Sequence, residues 1–276
     1  MNSNPLSQYF RQPALHLKLP SNGKFWEPGS LELPVTGEVP VYPMTAKDEI
    51  GLRTPDALLN GSATVEVIQS CIPSIINAWK MPVCDLDAVL VAIRNASYGD
   101  ELEFTSVCPS CRESNEYTIS THDIQNSADK INWEDPIVVG ELRVYLKPQT
   151  YLEYNKNSIE NFEEQRLIQL AANSELPEEE KVKQFYEIFK KLTDQTVKAL
   201  ASNIARIETS AGDIVNEPVF INEFIENAER NMFNSIREKV ASIRETIQSK
   251  PLHITCNECN HEYNTPFQLE QSNFFG

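Results

Sequence analysis

The stretch "TSVCPSCRESNEYTIS", residues 105–120, places Cys108 and Cys111 three positions apart. The segments on either side alternate between apolar and polar residues, a pattern typical of β-strands. We therefore predict a hairpin that carries both cysteines at its tip. Because two thiolates supply only half of a tetrahedral metal site, this hairpin predicts a second pair of ligands elsewhere in the chain.

The second pair lies near the C-terminal end of the sequence, in "LHITCNECNHEYNTPF", residues 252–267. Cys256 and Cys259 repeat the spacing of the first pair and again lie between two strand-like segments. Four thiolates at about 2.3 Å complete a structural zinc site and leave no position for water. We predict that Cys108, Cys111, Cys256 and Cys259 bind one structural Zn²⁺ in a zinc-ribbon-like β module.

The distance between the two pairs is unusual. Roughly 145 residues separate them, whereas about 15 to 20 separate the pairs of a compact zinc ribbon. The chain between the pairs is therefore interpreted as an insertion whose two ends the metal ion holds together.

Other uses of these cysteines have to be weighed. Each pair can form a disulfide or act as a thioredoxin-like redox pair, but neither pair opens a helix in a βαβ unit. The nearby side chains His122, His253 and His261 are not needed, because four cysteines already fill the site. The two remaining cysteines, Cys71 and Cys84, lie among apolar residues and are interpreted as core residues.

The pattern of the whole chain predicts an α+β protein in four parts. Residues 1–43 form an extended proline-rich arm with edge strands, and residues 44–100 form a small helical domain. Residues 101–147 and 250–276 make up the zinc-ribbon-like module, and residues 148–249 form a long helical hairpin or bundle inserted between its hairpins.

Specific residues mark the element boundaries. Thr45 is expected to cap a helix together with Asp48, and Pro55 to open a second short helix. The clearest helix is expected to have Asp85 or Asp87 as its N-cap and to end at Gly99.

The second half of the chain is expected to be mainly helical. A hairpin turning at Gly140 and Glu141 comes first. Residues 177–209 are then predicted to form one helix, with Ile204 and Ile207 on its apolar stripe, and residues 218–248 another. We interpret these stripes as core packing, with part of a stripe available to a partner helix as the alternative.

Composition and motifs exclude several classes of function. The 40 acidic and 24 basic residues give a net charge of −16, which repels nucleic-acid phosphates and favours protein partners. The start of the chain resembles no signal peptide, and no apolar run approaches the ~20 residues that span a membrane, so we expect a cytoplasmic protein. Phosphate-loop, dinucleotide, metalloprotease and serine-hydrolase motifs are missing, so no enzyme is expected and no small-molecule substrate.

Two segments in the first half of the chain resemble a known family. "YPMTAKDEIGLRTPDALLNGSATVEVIQSCIPSI", residues 42–75, and "DLDAVLVAIRNASYGDELEFTSVCPSC", residues 85–111, are similar to the T4-type bacteriophage baseplate proteins. Members of that family are hub components or hub assembly proteins of contractile-tailed phages. The resemblance covers about residues 40–120, with "TCNECNHEY" consistent with it, and it does not extend to the long helical region.

The resemblance implies a non-enzymatic structural or assembly protein that binds other hub or tail proteins, in the host cytoplasm or in the virion. Phe274 and Phe275, exposed at the chain end, are predicted to bind a partner. A zinc-ribbon adaptor for nucleic acid or transcription machinery remains the alternative, and a redox or zinc-dependent enzyme is a third interpretation.

Overall fold

A computed structural model describes residues 4–53, 61–121, 131–172, 178–247 and 251–265. The predicted α+β class is confirmed: seven α-helices and small antiparallel sheets occur in the described part of the chain. The chain divides into two compact units. Unit 1 consists of residues 1–130 and 246–276, and unit 2 of residues 131–245.

The helices of unit 1 are α1 (Ala46–Leu52), α2 (Ser62–Cys71) and α3 (Val83–Tyr98). Helix α1 begins as predicted, because the Thr45 side chain accepts from the Asp48 amide and the Asp48 carboxylate accepts from the Thr45 amide. The short helix predicted to open at Pro55 lies outside the described residues.

The N-terminal segment packs into unit 1, which differs from the predicted extended arm. Strands β1 (Leu15–Leu17) and β2 (Val39–Val41) pair antiparallel with each other and lie against α3. The buried residues of this segment are Leu17, Leu19, Val39 and Val41. Arg11 adds a polar anchor, because its guanidinium donates to the carbonyl oxygens of Pro43 and Ser70 at 2.6 Å each. The short apolar runs between prolines are therefore core residues of this unit.

Helix α3 begins differently from the prediction. Its N-cap is Pro82, and neither Asp85 nor Asp87 caps it. Asp85 is fully buried and accepts hydrogen bonds from the Ser21 amide at 2.7 Å, the Ser21 hydroxyl at 2.6 Å and Trp26 Nε1 at 2.9 Å. Burial raises the pKa of this carboxyl group, and the hydrogen bonds from Ser21 and Trp26 oppose that rise. Asp85 thus joins the N-terminal segment to α3.

Two hairpins carry the cysteine pairs, as the sequence predicts. Strand β3 (Glu101–Val107) pairs with β4 (Ser114–Ser120), and near the end of the chain β9 (Leu252–Thr255) pairs with β10 (Glu262–Thr265). In each hairpin the cysteines lie in the connection between the two strands. Both hairpins belong to unit 1.

Unit 2 contains a four-stranded antiparallel sheet beside its helices. The strands, in the spatial order β5-β6-β7-β8, are Ile137–Val139, Leu142–Leu146, Ile204–Glu208 and Ile214–Val215. The helices are α4 (Tyr151–Ala172), α5 (Glu178–Ser202), α6 (Pro218–Asn227) and α7 (Arg230–Ile247). The hairpin at Gly140 forms as predicted, but it pairs through β6 with β7 of this sheet instead of belonging with the cysteine hairpins.

Two helix predictions in this unit are wrong, one at its C-terminal end and one in its middle. Helix α5 ends at Ser202, and residues 204–208 form β7, because β-branched Ile204 and Ile207 pair with β6 and bury their side chains there. The helix expected at 218–248 is two helices, separated by extended backbone at Ala228.

The core of unit 2 lies between the sheet and the helices. Its buried residues are Val144, Leu146, Leu200, Ala201, Ile204, Ile207, Ile221, Ile225, Ile236 and Val240. Among the described helices, none is long and apolar enough to cross a membrane.

The buried carboxylate of unit 1 provides a test of this fold. We expect Asp85→Ala to reduce the free energy of unfolding by about 2–4 kcal/mol, because it leaves buried donors of Ser21 and Trp26 without an acceptor. Urea unfolding followed by tryptophan fluorescence measures the loss. Glu66→Ala, at an exposed position of α2, is the control and should stay within about 0.5 kcal/mol. Equal stability of Asp85→Ala and the unsubstituted protein would contradict this role.

Candidate metal centre

The first cysteine turn follows strand β3. The Cys108 amide donates to the Glu113 carbonyl oxygen at 2.9 Å, and the Arg112 amide donates to the Cys108 carbonyl oxygen at 2.9 Å. Arg112 adopts a left-handed conformation with φ of +64°. These bonds fold the turn so that Cys108 and Cys111 direct their sulfur atoms to one side.

The second turn, after strand β9, has the same construction. The Cys256 amide donates to the His261 carbonyl oxygen at 2.9 Å, and the Asn260 amide donates to the Cys256 carbonyl oxygen at 3.0 Å. Asn260 is again left-handed, with φ of +55°, a conformation that asparagine tolerates better than most residues. The two turns are therefore equivalent, with a left-handed residue directly after the second cysteine of each.

The four sulfur atoms converge on one point. Cys108 Sγ lies 3.7 Å from Cys259 Sγ, and Cys111 Sγ lies 3.6 Å from Cys256 Sγ. All four Sγ atoms lie within 4.8 Å of one another. Sulfur atoms bonded to one ion at about 2.3 Å form a tetrahedron with edges of about 3.8 Å, so the spacing fits a single metal ion. A disulfide requires about 2.05 Å, and all four thiols are free.

Burial differs between the two cysteines of each pair. Cys108 and Cys256 are fully buried, whereas Cys111 is partly accessible and Cys259 is exposed. A metal ion at the centre would therefore be held near the surface of unit 1, with its coordination filled by sulfur. Such a closed set of ligands stabilises a fold and has no open position at which water is activated.

One buried side-chain amide hydrogen-bonds to the sulfur cluster. Asn115, at the start of β4, donates through Nδ2 to Cys256 Sγ at 3.4 Å and accepts from the Asn257 amide at 3.3 Å. It thus connects the first hairpin to the turn of the second. Sequence reasoning missed this residue, although the strand alternation places its polar side chain on the buried face of β4.

Hydroxyl groups join the two hairpins beyond the cysteines. Tyr117 donates to the Thr255 carbonyl oxygen at 3.1 Å, and its hydroxyl lies 3.4 Å from that of Tyr263. Ser106 bonds both Tyr263 and Thr265 at 3.2 Å. The hairpins therefore form one module through contacts between side chains, in addition to the sulfur cluster.

Comparison with known proteins identifies the family. A family model described as "T4 bacteriophage base plate protein" matches residues 13–276. The chain belongs to this family. No curated protein and no solved structure gives a significant match. The family match extends the resemblance at residues 40–120 to nearly the whole chain, including the long helices, and it supports a broadly structural role in the phage tail.

Backbone amides of this baseplate protein favour the thiolate form of one cysteine in the cluster. Amide N–H groups of Cys259 and Glu258 donate to the Cys256 sulfur and stabilise its thiolate. Their effect is larger than that of burial, so the pKa of this thiol is lowered to about 6. The amide of Glu113 lowers the pKa of Cys111, but loss of hydration and hydrogen bonds with the other three sulfurs raise it to about 12. Because metals bind thiolates, a metal ion binding at this cluster would release protons.

The other candidate ligands and thiols lie apart from the cluster. His253 contacts Asn264 at 3.1 Å, and the ring of His261 stacks on Tyr263. Burial raises the pKa of Cys71 to about 12 and also raises that of Cys84. Neither thiol is thus an accessible thiolate.

Three further residues named from the sequence also fall outside the described residues. They are His122, near the first cysteine hairpin, and the predicted partner-binding pair Phe274 and Phe275.

Metal binding by the cluster is directly measurable. We expect native mass spectrometry to find one metal ion per chain after Zn²⁺ addition, because four sulfurs form one tetrahedral set. Cys259→Ser should abolish this stoichiometric binding. Cys84→Ser, which removes a thiol outside the cluster, should retain it. Equal metal content in the two variants would contradict the assignment of the cluster as the site.

The supporting amide should tune the affinity. We expect Asn115→Ala to weaken metal binding about 10- to 100-fold, because the hydrogen bond to Cys256 and the tie to Asn257 are both lost. Competition with a chromogenic chelator measures the change. Asn264→Ala, at an exposed position of β10, should bind as the unsubstituted protein does. An unchanged affinity for Asn115→Ala would remove Asn115 from the site.

Proposed function

We propose that this protein is a non-enzymatic structural or assembly component of the baseplate hub of a contractile-tailed phage. Cys108, Cys111, Cys256 and Cys259 hold one structural Zn²⁺ in a zinc-ribbon-like module. The observation that carries the proposal is the cluster of four sulfur atoms within 4.8 Å of one another, from cysteine pairs 145 positions apart in a chain of the baseplate family.

Zinc is the ion that best suits this set of ligands. Tetrahedral four-sulfur sites are typical of zinc or iron–sulfur centres, and zinc in such sites is structural. With sulfur in every position, the ion supplies cohesion and no chemistry on a substrate. The buried thiol of Cys71 and the half-buried thiol of Cys84 have raised pKa values, so they also offer no thiolate nucleophile for a redox enzyme.

The ion would act on the stability of the whole chain. Unit 2 lies between the two cysteine pairs in sequence, so a metal cross-link closes a loop that contains all of it. In the chain-entropy model, closing a loop of about 100 residues with a disulfide stabilises the folded state by ~4.7 kcal/mol, and a metal cross-link acts in the same direction. Metal binding and folding of the hairpin module are therefore coupled.

Other hub or tail proteins are the proposed partners, and the proposed setting is the host cytoplasm during assembly and then the virion. The C-terminal residues Phe274 and Phe275 serve as docking side chains. Nucleic acid is not a proposed partner, because Arg112 at the first turn is accompanied by Glu113 at that turn and by Glu258 and Glu262 at the second. These carboxylates repel phosphate groups.

Quantitative mass spectrometry of purified tails and hub intermediates tests the proposal. We expect the protein at a fixed small ratio to other hub proteins in finished tails, or only in intermediates if it acts as an assembly factor. A phage encoding Cys259→Ser should yield fewer complete tails because the module is not closed, whereas Cys84→Ser should yield normal numbers. Absence of the protein from both tails and intermediates would reject the proposal.

A further inference from the structure

Helix α5 carries a feature separate from the metal centre, a row of apolar and threonine side chains at alternating spacings of four and three residues. Its positions are Val182, Tyr186, Phe189, Thr193, Thr196 and Leu200. Spacings of four and three repeat every seven residues, the period at which helices pack in a left-handed coiled coil. One face of α5 is therefore patterned for packing against another helix.

Unit 2 covers only the C-terminal end of this row. Leu200 lies in the core of the unit and is 5% exposed. Val182, Tyr186 and Phe189 are 65%, 67% and 57% exposed. Soluble monomers rarely expose several large apolar side chains on one continuous face. We name these three residues the α5 seam, which is a packing face without a partner helix in the described part of unit 2.

The neighbouring helix α4 packs against a different face of α5. Glu164 of α4 contacts Lys191 at 3.0 Å, and Glu160 accepts from Gln195 at 3.2 Å. At about 100° per residue, Tyr186 lies about 180° around α5 from Gln195. Helix α4 therefore fixes α5 on the side opposite the seam.

Charge along the seam indicates what covers it. Lys183 and Lys190 are exposed and directly flank the seam, seven residues apart on the same side. Among the described residues, no carboxylate lies within ion-pair distance of either lysine. Glu187 and Asp194 lie farther around the helix. A cationic border on a chain with a net charge of −16 favours an acidic partner at this face.

We propose that the α5 seam binds an amphipathic helix of another protein, whose apolar stripe is bordered by Asp or Glu residues facing Lys183 and Lys190. A second copy of this chain fits less well. Antiparallel pairing sets equivalent flanking positions opposite each other, so lysine would face lysine. The inference adds a binding surface to the proposed function and rests on that function only for placing the partner among baseplate proteins.

Designed peptides test the proposal on the full-length protein. Two fluorescent helical peptides share one leucine seam, and their flanking positions are all Glu in one and all Lys in the other. We expect fluorescence anisotropy to show at least about tenfold tighter binding of the Glu-flanked peptide, with a preference that falls as salt screens the charges. The double variant Lys183→Glu/Lys190→Glu should reverse the preference.

A matched pair of variants locates the surface. Phe189→Gln should weaken binding of the Glu-flanked peptide about tenfold, because it removes the central apolar contact. Phe162→Gln changes a phenylalanine of α4 that is 66% exposed and lies away from the seam, and it should leave binding unchanged.

Three outcomes would overturn the proposal. They are equal affinity for the two peptides, equal loss in Phe162→Gln and Phe189→Gln, and a dimer in sedimentation equilibrium that Phe189→Gln dissociates. The last outcome would assign the seam to a second copy. Because peptide binding requires no phage particle, its failure is distinguishable from a failure of the tail experiment.

Discussion

Convergence of four sulfur atoms on one point is the constraint on which the rest of unit 1 depends. The sulfurs come from turns 145 positions apart, and bringing such distant segments together costs conformational entropy. Sulfur contacts alone offer little to offset that cost, because uncoordinated thiols are weak hydrogen-bonding groups. A metal ion bound by four thiolates would supply the missing free energy. The hydrogen bonds of Asn115 and Tyr117 across the two hairpins align the turns.

The sequence was sufficient to predict which four cysteines come together, because the pattern that identifies each pair is local. A pair of cysteines three apart between alternating segments predicts a hairpin tip, and four such cysteines predict one tetrahedron. The spacing of Thr45 and Asp48 likewise predicted the start of α1. Each of these features depends on residues that are neighbours in sequence, so no knowledge of the tertiary fold was required.

The wrong predictions concern residues whose roles depend on distant partners. Ile204 and Ile207 continue the helical period of α5, but pairing with β6, about sixty residues earlier, makes them a strand. Asp85 has the position of a helix cap, yet Ser21 and Trp26 bind it from another segment. From the sequence alone, Asn115 is an ordinary strand residue, because its hydrogen bond to Cys256 depends on the tertiary fold. Pairing with a distant strand overrides helix propensity at Ile204 and Ile207, and hydrogen-bond partners distant in sequence decide the roles of Asp85 and Asn115.

The order of the cysteines along the chain has a consequence for synthesis. Ribosomes make proteins from the N-terminus, so Cys108 and Cys111 emerge long before Cys256 and Cys259, with all of unit 2 made in between. A chain that stops early, or that a protease cuts after α7 and releases, holds only half of the ligands and cannot form the four-sulfur site. The four-sulfur cluster is therefore a feature of chains that extend through Cys259, and a metal ion held by all four sulfurs would be confined to them.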